Sequence, residues 1–329
     1  MLGRLSMRAL VQVVQAGVMH ARYGERLTIV RATAMKAIAI LRPAGWLLLF
    51  MFLAFSARAE ESVLLGGMHV SVWTPNGAGR HPVIVFSHGL HGCSTQAGFL
   101  MRAFAAAGYL VFAPDHRDAG CRGGADEPPQ APLREPEQWS ETTYQDRAED
   151  IQRVIQAVST DERFSDDVDL SRVGLVGHSL GGYTVLGLSG GWPSWRLTGV
   201  KAVLGLSPYI SPFLARHTLP GLTVPVMYQG GTLDLGLTPA VRRLEGGYDQ
   251  SPRPKYYVEF DQAGHFAWTD VGGSDREPIM RYSVAFMNRY VKGEADDPVL
   301  LRAGPGVTSF RYALPGSDDT PPGQEDASR

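Results

Sequence analysis

A serine hydroxyl becomes a useful nucleophile only when a base takes its proton, an acid orients that base and donors wait for the oxyanion. The stretch Val173-Gly-Leu-Val-Gly177-His-Ser179-Leu-Gly181-Gly182 offers such a serine. A short apolar strand runs into a small-residue turn with Ser179 at its apex, and a helical pattern follows, which is the layout of a nucleophile elbow. Gly177 and Gly181 suit a turn in which a Cβ on either side of the serine would collide with its surroundings. The five-residue pattern alone is weak, because 38 glycines among 329 residues give roughly 0.3 copies by chance. Gly187-Leu-Ser189-Gly-Gly191 matches it too. It follows a helical stretch, Leu180 to Leu188, so Ser189 reads as a serine in a helix-ending loop.

The remaining parts fall where strands end, which is where an open parallel sheet gathers functional loops. His265, in Asp261-Gln-Ala-Gly-His265-Phe-Ala-Trp268, follows the last strand and is the expected base. Asp234 ends a strand and glycine turn, Val224-Pro-Val-Met-Tyr-Gln-Gly-Gly-Thr-Leu-Asp234, and is the expected orienting acid, with Asp249 and Asp261 as alternatives. The amide of Leu180 supplies one oxyanion donor. The loop His88-Gly89-Leu90-His91-Gly92 supplies the other, through Leu90. His81 and His217 read as surface loop residues and His178 as the variable position of the elbow. A zinc pair at His88 and His91 lacks a third ligand at suitable spacing, so no metal and no cofactor are expected. Tyr209, Phe213, Trp268 and Trp139 are loop aromatics suited to an apolar acyl or alcohol group, with packing as the alternative role.

Strands and helices alternate from about residue 63 to 291, the signature of a mostly parallel sheet covered on both faces. Strands are expected at Val63 to Leu65, Met68 to Trp73, Val83 to Ser87, Tyr109 to Pro114, Val173 to Val176, Ala202 to Leu206, Val224 to Gln229 and Tyr256 to Phe260. Helices are expected at Gln96 to Ala107, Tyr144 to Val158 and Arg276 to Val291, the last closing the domain. Arg117 to Thr143 is a long Gly/Pro-rich, acidic excursion, read as a lid or binding loop. Ser207 to Thr223 is too short to hold a large cap.

Residues 1–59 read as a signal peptide with an over-extended N-terminus. Trp46 to Phe55 is an apolar core, Lys36 and Arg42 precede it, Ala57-Arg-Ala59 is a cleavage pattern, and Met35 is an alternative start. The catalytic domain is then 60–302, with 303–329 a polar, Pro/Gly-rich tail expected to be mobile, at least beyond Leu314. No membrane span is expected after cleavage, and the compartment is secreted or periplasmic. Oxidising surroundings would let Cys93 and Cys121 pair. A net charge of −2 gives no electrostatic case for nucleic acid.

Phe86-Ser-His-Gly-Leu90, Ala113-Pro-Asp-His116, Gly177-His-Ser-Leu-Gly-Gly182 and Ala263-Gly-His-Phe266 resemble the α/β-hydrolase superfamily over residues 63 to 291. More narrowly, they resemble the bacterial dienelactone-hydrolase-like and platelet-activating-factor-acetylhydrolase-like esterases. The resemblance implies an α/β-hydrolase fold with minimal cap, the chain order Ser, Asp, His, and hydrolysis of small carboxylic esters through an acyl-enzyme. Two departures stand out. Dienelactone hydrolases use a cysteine nucleophile, and the acetylhydrolases place their acid one strand earlier, where this chain has Leu206-Ser-Pro-Tyr209. An acyltransferase with the same residues, or an inactive binding protein on this fold, are the competing readings.

Overall fold

A computed structural model describes residues 60–273 and 275–316. The expected signal segment and the last part of the expected tail, 317–329, lie outside the described residues.

Runs of Val, Ile, Leu and Phe between glycine-rich turns fold as a nine-stranded sheet in the order β1-β2-β4-β3-β5-β6-β7-β8-β9. A hairpin of β1 (Glu61–Leu65) and β2 (Met68–Trp73) joins β4 (Leu110–Pro114) antiparallel. From β4 the sheet is parallel through β3 (His81–Ser87), β5 (Val168–His178), β6 (Val200–Leu206), β7 (Val226–Gly231) and β8 (Lys255–Phe260). Such a sheet is buried on both faces, which is why its strands read as continuous apolar runs.

Alternate side chains feed two cores. Val83, Val85, Val173 and Leu175 face helices α2 (Gln145–Val158), α3 (Leu180–Leu186) and α4 (Ser211–Arg216). Ile84, Phe86 and Val176 face α1 (Gly98–Ala106) and the C-terminal helix Arg276–Met287. On α2 the apolar residues Ile151, Val154 and Val158 recur at helical spacing and are buried, while Gln152 and Arg153 are not. Between β7 and β8 lie two short helices, α5 (Thr238–Arg242) and α6 (Gly247–Gln250), so the C-terminal helix is α7. Among the described residues, no helix is long and apolar enough to cross a membrane.

Two expectations need correction. The sheet does not end at β8, because β9 (Val307–Ala313) pairs antiparallel with it, from Lys255↔Ala313 to Phe260↔Val307. The tail expected from residue 303 therefore starts too early. Phe310 and Tyr312 pack on the α7-side core, so alternation of period two outweighs the polar composition. β5 also begins before Val173, at Val168. Its ladder with β3 slips in register between Pro82 and Val83, which lets pairing resume across the polar residues Asp169 and Ser171.

The excursion 117–143 is tied down rather than loose. Trp139 is fully buried and donates from Nε1 to the Pro132 carbonyl at 2.9 Å. Arg216 on α4 donates to the carbonyls of Trp139 (2.6 Å) and Glu137 (3.0 Å), and Trp195 donates to that of Glu141 (2.8 Å). A disulfide joins Cys93, in the loop after β3, to Cys121 in the excursion, with 6.1 Å between their Cα atoms.

Candidate active site

Ser179 sits where β5 turns into α3, with φ 55° and ψ −116°. A non-glycine residue with positive φ is strained, and here three main-chain bonds hold it. Ser179 N–H donates to the Leu206 carbonyl (3.0 Å), and its own carbonyl accepts from Tyr209 (2.9 Å) and Tyr183 (3.3 Å). The flanking glycines are sterically required. A Cβ at Gly177 would lie 2.1 Å from the Gly181 carbonyl oxygen, and one at Gly181 would lie 1.9 Å from that of Ser87.

The ends of β7 and β8 bring the expected partners to this serine. His265 Nε2 lies 3.1 Å from Ser179 Oγ. Asp234 is nearly buried, and its Oδ1 is 3.5 Å from His265 Nδ1, longer than a good hydrogen bond. Between them stands Ser207, a residue the sequence reading passed over. Its Oγ donates to Asp234 Oδ2 at 2.5 Å and lies 2.8 Å from His265 Nδ1. One hydroxyl carries one proton. With that proton given to the carboxylate, Oγ accepts from Nδ1–H, and the Nε2 lone pair faces Ser179. Asp234 also accepts from the Thr238 N–H and hydroxyl. Burial pushes its carboxyl up, but the adjacent His265 ring and the bonds from Ser207 and Thr238 outweigh burial and hold it down at about 2, so Asp234 is an anion at neutral pH.

His178 supports His265 from below. Its Nε2–H donates to the His265 carbonyl at 2.8 Å, and the two rings are 4.9 Å apart. Burial, and then the neighbouring His265, pull His178 down to about 3, so it stays neutral. Asp249 is paired with Arg311, and Asp261 accepts from the Gln262 amide; neither contacts His265 among the described residues.

Leu90 and Leu180 both line the cleft that Ser179, Asp234 and His265 line, a space of about 480 Å³, within the range of small-molecule sites. Among the described residues neither leucine amide finds an internal acceptor. Tyr209 lines the cleft as expected. Phe213 and Trp268 do not. Phe213 is fully buried and stacks on Tyr183 at 5.0 Å, and Trp268 is fully buried with its Nε1 donating to Gln229. Trp139 is likewise core, 4.8 Å from the Tyr209 ring. Phe213, Trp268 and Trp139 are packing residues, because large rings stabilise wherever they are buried. The mouth is instead rimmed by Leu133, Leu233 and Leu235, each 43–77 % exposed.

His88 and His91 turn to separate main-chain partners. His88 Nε2 accepts from the His116 amide, and His91 Nε2–H donates to the Glu127 carbonyl. A further row, Ser87–His116–Asp150, with 2.9 Å at each step, lies inside the fold. Ser87 has no exposed surface, so no substrate reaches it, and the row ties the ends of β3 and β4 to α2.

The model of the family described as PET hydrolase-like matches residues 131–305, more than half of the chain. That of platelet-activating factor acetylhydrolase, isoform II, matches residues 62–157. Cutinase est1 of Thermobifida alba is 25% identical over 258 residues, covering 76% of this chain and 75% of its own. Cutinase 1 of Thermobifida cellulosilytica is 30% identical over 140 residues, 42% of this chain and 48% of its own. Cutinase of Thermobifida fusca (strain YX) is 30% identical over 140 residues, 42% of each chain. For these last two, the chain spans under half of the relative's length. With a mostly parallel sheet presenting a serine at a strand-to-helix turn, the chain belongs to the PET hydrolase-like family and is a carboxylic ester hydrolase of the α/β-hydrolase fold.

Proposed function

We propose that the protein is a secreted or periplasmic serine esterase, with Ser179 as nucleophile, His265 as general base and acid, and Asp234 as the anion that balances the imidazolium. The observation that carries this reading is the continuous row of short contacts Asp234–Ser207–His265–Ser179. Ser179 Oγ attacks the ester carbonyl carbon as its proton passes to His265 Nε2. The carbonyl oxygen, now negative, accepts from the Leu90 and Leu180 amides. Collapse of the tetrahedral intermediate expels the alcohol, which takes the proton from Nε2. Water then repeats the sequence on the acyl-enzyme, releasing the acid and restoring Ser179.

Charge develops on His265 only while the intermediate exists. An Asp234 held ionised, and joined to the ring through Ser207, stabilises that state more than the resting one. The ester lies in a cleft whose Leu90, Leu133, Leu233 and Leu235 side chains favour apolar groups on either side of the bond. The cutinase relatives and the PET hydrolase-like description agree with substrates of that kind, including polyester chains. Export rests on the apolar segment Trp46 to Phe55 and is supported by the Cys93–Cys121 disulfide. Residues 1–59 are then a removed leader, and the catalytic unit runs from residue 60 through β9.

The deciding experiment is p-nitrophenyl butyrate hydrolysis by Ser179→Ala and Ser189→Ala. Ser189 is buried with its hydroxyl on the Val185 carbonyl, so its alanine variant should keep turnover while Ser179→Ala loses it. Wild-type rates in a folded Ser179→Ala protein would end the proposal.

A further inference from the structure

The Leu90 amide can serve an oxyanion only if its peptide unit is held in one orientation, and the turn that carries it begins with glycine. Glycine suits position 89, because a Cβ there would come within 3.1 Å of His178 Nδ1 and 3.3 Å of the Ser179 Cβ and would push these neighbours aside by a few tenths of an ångström. That close approach brings a backbone free to rotate. What restrains it lies on the other side of the turn. A trans peptide unit is planar, so its carbonyl and N–H point in opposite directions, and the Leu90 N–H shares its unit with the Gly89 carbonyl.

Three donors converge on that carbonyl oxygen: His88 Nδ1–H at 2.7 Å, the Gly92 amide at 2.9 Å and Arg147 Nη2 at 3.3 Å. Arg147, on α2 and 1 % exposed, also gives both terminal nitrogens to the His88 carbonyl, each at 2.9 Å. Its Nε donates to Asp118 Oδ1 at 3.0 Å, while Asp118 Oδ2 accepts the His91 amide at 3.2 Å. The ion pair thus brackets the turn from residue 88 to residue 91. His88 is locked in one tautomer, because its Nε2 accepts the His116 amide at 3.1 Å and leaves the proton on Nδ1, facing Gly89. Burial, then the adjacent Arg147, hold its pKa well below the usual histidine range, so the ring keeps that acceptor lone pair. A lysine could neutralise Asp118 but could not span two successive carbonyls, which takes the planar fork.

The geometry points to Arg147 and His88 as positioning residues for ester hydrolysis: by drawing the Gly89 carbonyl inward they aim the Leu90 N–H at the oxyanion. This rests on the oxyanion role proposed for Leu90. Neither side chain lines the cleft, so neither touches substrate.

The test compares p-nitrophenyl butyrate with its thiono analogue, whose C=S sulfur is a poor hydrogen-bond acceptor. Wild type should hydrolyse the oxygen ester far faster. Arg147→Lys and His88→Leu should each lower the ratio of the two kcat/KM values by roughly tenfold, part of the loss seen when a donor is removed outright, with rates expressed per fluorophosphonate-titrated site. His88→Asn, whose amide can donate where Nδ1–H does, should keep most of the ratio. A merely structural role lowers both rates together and leaves the ratio unchanged. That result in folded His88→Leu, which spares the Arg147–Asp118 pair, overturns the proposal even if Arg147→Lys does not fold. Wild type that cleaves the oxygen ester but does not discriminate overturns it together with the Leu90 role. Wild type that cleaves neither overturns the esterase reading itself.

Discussion

Replacing Ser207 by alanine deletes the hydroxyl between Asp234 and His265 and nothing else on the path. Without it, the nearest approach of carboxylate and imidazole is the 3.5 Å contact between Oδ1 and Nδ1, too long for a strong N–H···O bond. A hydrogen bond to a charged group contributes about 1.5–3 kcal/mol, and each 1.36 kcal/mol is about tenfold in rate. The expected fall in kcat is therefore roughly ten- to a hundredfold. KM should stay within about twofold, since Ser207 is fully buried and does not line the cleft. Backbone strain can be separated from chemistry at the same position. Ser207 has φ 43°, where glycine is at ease and alanine is not. Ser207→Gly should therefore be as slow as Ser207→Ala yet melt no lower. Steady-state hydrolysis of p-nitrophenyl butyrate, normalised by fluorophosphonate titration, reads the effect. A Ser207→Ala enzyme within about twofold of wild-type kcat, alongside a severely impaired Asp234→Asn, would show that the acid reaches the ring unaided and would refute the bridging argument.

Cys93 and Cys121 are 28 residues apart, so opening their bridge releases a loop worth about 3–4 kcal/mol; reduction, or Cys121→Ser, should lower Tm by roughly 10 °C, and an unchanged melt would argue against pairing. Burial lifts the Asp150 carboxyl from 3.8 to about 6, against the pull of Arg153 and Arg147. The folded state thus holds this proton more tightly than the unfolded chain, and the associated stability is complete below 3.8 and lost as pH climbs through about 6. Asp150→Asn should flatten that decline in melting curves taken at about pH 4 and about pH 8, and an unaltered slope would assign it to other groups. Leu133→Ala should raise kcat/KM for bulky acyl esters over acetyl esters by roughly two- to tenfold; equal changes for both would remove Leu133 from the specificity of the mouth.

Local signals carried the sheet and the elbow. Val83 to Ser87 and Val173 to Val176 are buried on both faces and need no alternation to be read as strands, and the glycines around Ser179 report collisions that would occur in any version of this turn. The meeting of Asp234 and His265 with Ser179 follows from strand ends sharing one rim. What escaped notice depends on neighbours distant in sequence. Ser207 looks like any serine after a strand until β7 and β8 set Asp234 and His265 beside it. Arg147 reads as the polar side of an amphipathic helix, yet it is buried because the His88 turn folds over it. The strand Val307–Ala313 contains Thr308, Ser309 and Arg311 amid prolines and glycines, and only its pairing with β8 shows that Phe310 and Tyr312 share an inward face.

The buried Trp139 and the bonds from Arg216, Trp195 and Tyr209 anchor the stretch that brings Leu133 to the cleft. Tyr209 pins the Leu133 carbonyl at 2.7 Å, which ties this edge of the opening to the core that frames the site, and an edge held in that way predicts no slow opening step ahead of acylation. Progress curves on emulsified ester should rise linearly from the first turnover without an interfacial lag, and selectivity should act by turning away what does not fit.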